Sequence, residues 1–116
     1  MEGNKTIVDK PWGYEIIWAK TDNYAAKLLH INKSHKLSLQ FHKKKEETIY
    51  VTKGILHLVY GTELIVMKPG ESQHIPANTI HRMIATDEED VEVMEVSTPF
   101  LDDIVRIEDD YGRIHG

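Results

Sequence analysis

Polar and apolar positions alternate along several short segments of this chain, most openly in Val91-Glu92-Val93-Met94-Glu95-Val96. A period of two marks a β-strand with one face on a core and the other in water. With β-branched and aromatic enrichment as a second criterion, the sequence predicts strands over 14–18, 24–32, 37–42, 47–52, 55–60, 63–67, 73–76, 80–86 and 91–97. Turn formers punctuate them at Lys53-Gly54, Gly61-Thr62, Pro69-Gly70 and Ala77-Asn78. Tyr60-Gly61-Thr62-Glu63 predicts a two-residue hairpin with glycine first, where a positive φ costs least. No stretch has the periodicity of a long amphipathic helix. Many short, evenly spaced strands predict an all-β sandwich or barrel, with no internal repeat, low-complexity segment or linker. Residues 101–116 turn charge-dense and aromatic-poor, a composition that predicts a frayed tail.

Length and composition narrow this picture. At 116 residues the chain has room for one domain with a real core. It has no cysteine, which excludes disulfides, zinc ribbons and thiol nucleophiles and fits a reducing compartment. Lys and Arg total 14 against 19 Asp and Glu, so the basic footprint that phosphate-driven nucleic-acid binding requires is missing. The basic run Lys43-Lys44-Lys45 leads straight into Glu46-Glu47, as a solvated loop would. Residues 1–10 are polar, and no apolar run approaches the ~20 residues of a membrane span. The expectation is a cytoplasmic protein that engages neither membrane nor nucleic acid.

One constellation carries chemistry. Gln40 and His42 lie two apart on a predicted strand, so their side chains leave the same face, while Leu39 and Phe41 are expected to supply core from the other. Glu47 opens the next strand after the basic turn. His81 follows Pro76-Ala77-Asn78, a turn that redirects the chain toward the same interior. Two imidazoles, a carboxylate and an amide oxygen make a plausible ligand set for one divalent metal ion. Such a mixed set fits several ions, among them zinc, manganese, iron, nickel and cobalt. Lys27, in the otherwise apolar Tyr24-Ala25-Ala26-Lys27-Leu28-Leu29, is placed either to point into a barrel and hold substrate oxygens or to snorkel to its rim. His57 and His74, flanked by apolar residues, are candidates to line the cavity.

The spacing from Ser34 to Gly54 resembles the first motif of the cupins. Ser34 stands at its first glycine position, Gln40 replaces the first histidine, and His42, Glu47 and Gly54 match. Residues 70–85 resemble the second motif: Gly70, Pro76 and His81 match, Asn78 replaces a glycine, and Ala85 replaces the usual asparagine. The resemblance implies a single-domain cupin, a small double-stranded β-helix or jelly-roll barrel. Its expected parts are an N-terminal arm over 1–20, a barrel over 21–100 and a C-terminal signature segment over 101–116.

Three strings narrow the resemblance to the type II phosphomannose isomerase cupin, a unit that commonly forms the C-terminal part of mannose-1-phosphate guanylyltransferases. They are Lys10-Pro11-Trp12-Gly13-Tyr14-Glu15, Leu37-Ser38-Leu39-Gln40, and the run from Asp102 through Arg106 to Arg113, whose resemblance makes the apparent tail a family feature. Gln40 is also similar to the glutamine of the Gln/His/Glu/His site in zinc-dependent type I isomerases, a resemblance that implies zinc as the favoured ion. The resemblance implies interconversion of mannose 6-phosphate and fructose 6-phosphate through an enediolate, with Glu95 as the base. Lys45, Arg82 and Arg106 are the candidates to hold phosphate at the cavity mouth, Arg82 the weakest because it follows a ligand and should point outward. Lys45 stands where the family has an arginine implicated in isomerase activity, keeping the charge but losing the two-pronged donor. No nucleotide loop precedes the barrel, so guanylyltransferase activity is not expected. Competing readings are another sugar isomerase or epimerase, a metal-dependent dioxygenase, and a non-catalytic sugar-binding module. A homodimer paired through sheet edges is expected, with the two-tryptophan stretch 11–18 as its interface strand.

Overall fold

The computed structural model describes residues 6–113. Among them the strands are β1 (Thr6–Lys10), β2 (Gly13–Lys20), β3 (Ala25–Ile31), β4 (Leu39–Phe41), β5 (Glu47–Lys53), β6 (Leu56–Tyr60), β7 (Glu63–Met67), β8 (Ser72–Ile75), β9 (His81–Ala85), β10 (Val91–Ser97) and β11 (Val105–Glu108). They build two antiparallel sheets, ordered β1-β2-β3-β10-β5-β8 and β11-β4-β9-β6-β7. Residues from both sheets, among them Ile31, Ile49, Val51, Leu56, Leu58, Met83 and Val93, meet in one fully buried core. No helix among the described residues is long and apolar enough to cross a membrane.

All nine strands read from the sequence form, and two more join them. β1 pairs with β2 at the edge of the larger sheet, so the described part of the expected N-terminal arm is sheet; residues 1–5 lie outside the described residues. β11 corrects the frayed tail. Its Val105 and Arg106 pair with Phe41 and Gln40 of β4, which closes one edge of the smaller sheet. Composition hid this strand because it lies in a charge-dense run and is little buried, while backbone pairing to β4 holds it in the sheet. Residues 114–116 of the signature segment also lie outside the described residues.

β10 shows how alternation can mislead about phase. Val91, Val93, Glu95 and Ser97 are buried, whereas Val96 is 51% exposed. The apparent pattern slips at Met94, and Glu95 shares the inner face with the valines. Leu39 and Phe41 are also corrected: they are only half-buried and outside the core, because the inner face of β4 belongs to Gln40. The two tryptophans separate, Trp12 into the chain's own core and Trp18 onto the surface at 48% exposure.

The turns obey backbone sterics. Tyr60 pairs with Glu63, and Gly61 has φ 61° while Thr62 stays at negative φ, the signature of a type II′ hairpin. Ser34 (φ 67°) and Asn78 (φ 64°), at two motif glycine positions, are both left-handed. At Gly54 (φ 76°) a β-carbon would lie 2.4 Å from the Asp90 carbonyl oxygen, so both conformation and space require glycine.

Candidate metal centre

Three strands converge on one point. Gln40 of β4 pairs directly with His81 of β9, and Glu47 opens β5 opposite Ser97 of β10. The Asn78 turn ties the second half of the chain to the first, its N–H donating to the His42 carbonyl at 2.6 Å. One ligand atom each of His42, Glu47 and His81 falls within 4.8 Å of the others, and all three residues are buried.

Their hydrogen bonds fix the tautomers. His42 Nδ1 donates to the Asp103 carbonyl at 2.6 Å, and His81 Nδ1 donates to the Thr79 carbonyl at 2.8 Å. A carbonyl only accepts, so Nδ1 carries the proton and each Nε2 offers a lone pair when the ring is neutral. Burial lowers the His81 pKa and favours that neutral form. Both Nε2 atoms and both Glu47 carboxylate oxygens are buried without a hydrogen-bond partner. His42 Nε2 nonetheless lies 3.0 Å from Glu47 Oε1, and His81 Nε2 lies 3.9 Å from it. Lone pairs aimed at a carboxylate repel unless a cation stands among them, and buried orphans of this kind are rare in native proteins. The donor set fits a divalent cation, with backbone carbonyls holding both imidazoles in ligating orientation. Gln40, the fourth expected ligand, lines the adjoining cavity and accepts a 2.7 Å hydrogen bond from Ser38 Oγ through its Oε1.

A second ring of charge surrounds the trio. Lys45 Nζ donates to Glu95 at 3.0 Å and lies 3.5 Å from Glu47. Burial alone would pull the Lys45 pKa down, but the carboxylates of Glu95 and Glu47 outweigh it and raise it. Glu47 shows the converse: burial pushes its pKa up, and with no metal present a protonated His42 donating through Nε2, together with the Lys45 ammonium, holds it well below the usual carboxylate range. Burial and the nearby Glu47 charge push Glu95 up to about 7, against the pull of Lys45 and Lys27. Lys45 therefore lies deep beside the trio and not at a rim, and the basic run is not a uniformly solvated loop. Lys43 and Lys44 are exposed while Lys45 is 4% exposed. The Asp103 carboxylate pins the turn by accepting from the backbone N–H groups of Lys43, Lys44 and Lys45 at 2.7–3.0 Å.

Beyond this ring the cavity opens between the larger sheet and the C-terminal segment. Five cations line it, namely Lys10, Lys27, Lys45, Arg106 and Arg113, against the two carboxylates of Glu15 and Glu95. Lys27 does point inward, 2.9 Å from Glu15. Arg113 makes two 2.9 Å bonds to Asp109. Arg106 has no carboxylate partner among the described residues, and its Nε is buried and unpaired. Burial and the Arg113 charge lower its pKa, partly countered by Asp109.

Three sequence candidates lie elsewhere. Arg82 points away from the cavity, as its position after a ligand suggested, and donates through Nε to the Leu37 carbonyl at 2.8 Å. His74 pairs with Glu46 at the surface, and neither it nor His57 lines the cavity. Sequence reasoning assigned no role to Lys10, Glu15, Asp103 or Arg113. All four lie in the strings that carried the family resemblance, the one signal available for them.

The family profile described as Mannose-6-phosphate isomerase C-terminal matches residues 2–109. A mannose-1-phosphate guanylyltransferase of Salmonella muenchen is 32% identical over 110 residues, which cover 92% of this chain and 23% of that protein. The chain thus spans under a quarter of that relative's length. Among solved structures, KdgF from Halomonas sp. superposes with TM-score 0.75 at 22% identity, covering 81% of this chain and 86% of that one. An RmlC-like cupin from Shewanella frigidimarina gives TM-score 0.73 at 15% identity, covering 83% and 85%. At such identities the two structures establish the fold alone, and that fold is the cupin barrel.

Proposed function

The chain belongs to the mannose-6-phosphate isomerase C-terminal family of cupin domains, and from that membership we propose that it is a metal-dependent isomerase interconverting mannose 6-phosphate and fructose 6-phosphate. The observation that carries this reading is the cavity's charge. A protein of net charge −5 gathers five cations around a cavity that holds two carboxylates and adjoins an unpaired His-Glu-His trio. Such a field favours a small anion, and a sugar phosphate fits it.

His42, Glu47 and His81 would hold the ion, with Gln40 as the fourth ligand and zinc as the first choice. A divalent cation there supplies Lewis-acid stabilisation of negative charge developing on the sugar's C1 and C2 oxygens. Glu95 is the base: it removes the proton from C2 of the open-chain aldose and returns it at C1. The C2 hydroxyl loses its proton as the C1 oxygen gains one, so the isomerisation is redox-neutral overall. Arg106, the cation without a carboxylate, takes the phosphate. Lys45 works here as a point charge, because its Nζ reaches the Glu95 carboxylate at 3.0 Å without a planar fork.

The test is turnover. Metal-reconstituted protein incubated with mannose 6-phosphate should form fructose 6-phosphate, and His81→Ala should abolish it. Absence of product with zinc, manganese, iron, nickel and cobalt alike would overturn the proposal. Sugar-phosphate binding without turnover would point to a sensing module.

A further inference from the structure

Glu15 has no role in the isomerisation proposed above, yet it lines the cavity and is only 6% exposed. Its carboxylate lies 2.9 Å from Lys27 Nζ and 3.5 Å from Lys10 Nζ. A carboxylate so buried carries a desolvation cost that only such pairing offsets.

Strand register shows what that pairing decides. Lys27 of β3 stands directly opposite Glu95 of β10 on one side and Ile17 of β2 on the other. Glu15 lies two residues along β2, a diagonal neighbour within reach of a long side chain. Lys27 therefore has two carboxylates to choose between on the inner face. Its ammonium takes Glu15, while Lys45 takes Glu95 at 3.0 Å. The buried charges sort into two pairs, and Glu15 is the member that draws Lys27 away from Glu95.

We propose that Glu15 is a positioning residue: it holds the Lys27 ammonium on the β2 side of the cavity, where Lys27 hydrogen-bonds a sugar oxygen and leaves one Glu95 oxygen free for proton transfer. This inference rests on the isomerase reading for its kinetic consequence, though not for its geometric one. With the Glu15 charge removed, Lys27 turns onto Glu95, and the hydrogen-bond donor and the base are disabled together.

The experiment is a double-mutant cycle on the full chain with metal bound, using Glu15→Gln, Lys27→Met and the combined variant. Glu15→Gln should lower kcat about tenfold with KM for mannose 6-phosphate changed by less than about twofold. In the Lys27→Met background the same change should cost less than about twofold, because Glu15 acts through Lys27. Independent effects that multiply in the combined variant would make Glu15 a mere strut between β2 and β3 and overturn the proposal. A crystal structure of Glu15→Gln reads the geometry without turnover: Lys27 Nζ should lie within hydrogen-bond distance of Glu95. An Nζ left in its original place overturns the proposal even if the wild type is active. A wild type with no turnover defeats the isomerase reading and leaves the crystal structure to judge the placement of Lys27.

Discussion

His42 and His81 both commit their Nδ1 protons to backbone carbonyls, so each neutral ring turns a lone pair and not a proton toward the Glu47 carboxylate. Alanine at either position should lower zinc affinity by at least ~100-fold, measured by calorimetry, since one of three buried donors is lost and the others stay orphaned. Arg106 has a different role, because no carboxylate neutralises it. Arg106→Ala should raise KM for mannose 6-phosphate by about 10–100-fold, the range expected for a charge-assisted bond, with kcat nearly unchanged. Spacing alone picked out the two histidines as candidate ligands. The orientation of their rings was not, because the carbonyl that fixes His42 belongs to Asp103, 61 residues away in sequence.

At the scale of elements, the turns and the terminal strand decide what the strands can do. Gly54 and Gly61 share a left-handed backbone, but only a Gly54 β-carbon meets another backbone atom. Gly61→Ala should therefore destabilise by about 1–2 kcal/mol and Gly54→Ala by about 3 kcal/mol or more, read from denaturant midpoints. The 43–45 turn depends on the Asp103 carboxylate, whose pKa the N–H groups of Lys44 and Lys45 pull down from 3.8 to about 2. A carboxylate depressed in the folded state contributes stability above its unfolded pKa and loses it as pH falls through the folded value. The window is thus pH 3.8 down to about 2, and Asp103→Asn should move the acid-unfolding midpoint to higher pH. The sequence missed β11 for a physical reason. Hydrophobic pattern reports burial, whereas pairing to β4 and the choice of inner face for Glu95 were set by register.

For the whole molecule, the barrel concentrates its charge unevenly, cations in the cavity and excess carboxylates outside it, and an ion held by the trio at its edge would couple folding to metal. A cation at ~100 times its dissociation constant should add ~2.7 kcal/mol, so chelation should lower the melting temperature by about 10 °C. A melting temperature unmoved by chelator and by added zinc would mean that the trio holds no ion. The chain's own residues determined the all-β class, nine of the strands, the turn glycines and the four candidate ligands, because period, turn chemistry and ligand spacing are local properties. Only the tertiary structure decided that Lys45 is buried between two carboxylates, that Arg106 is left unpaired, and that Glu15 draws Lys27 away from Glu95. Those outcomes depend on which side chains several strands, distant in sequence, deliver to one buried volume, and a charge in such a volume is defined by its partners.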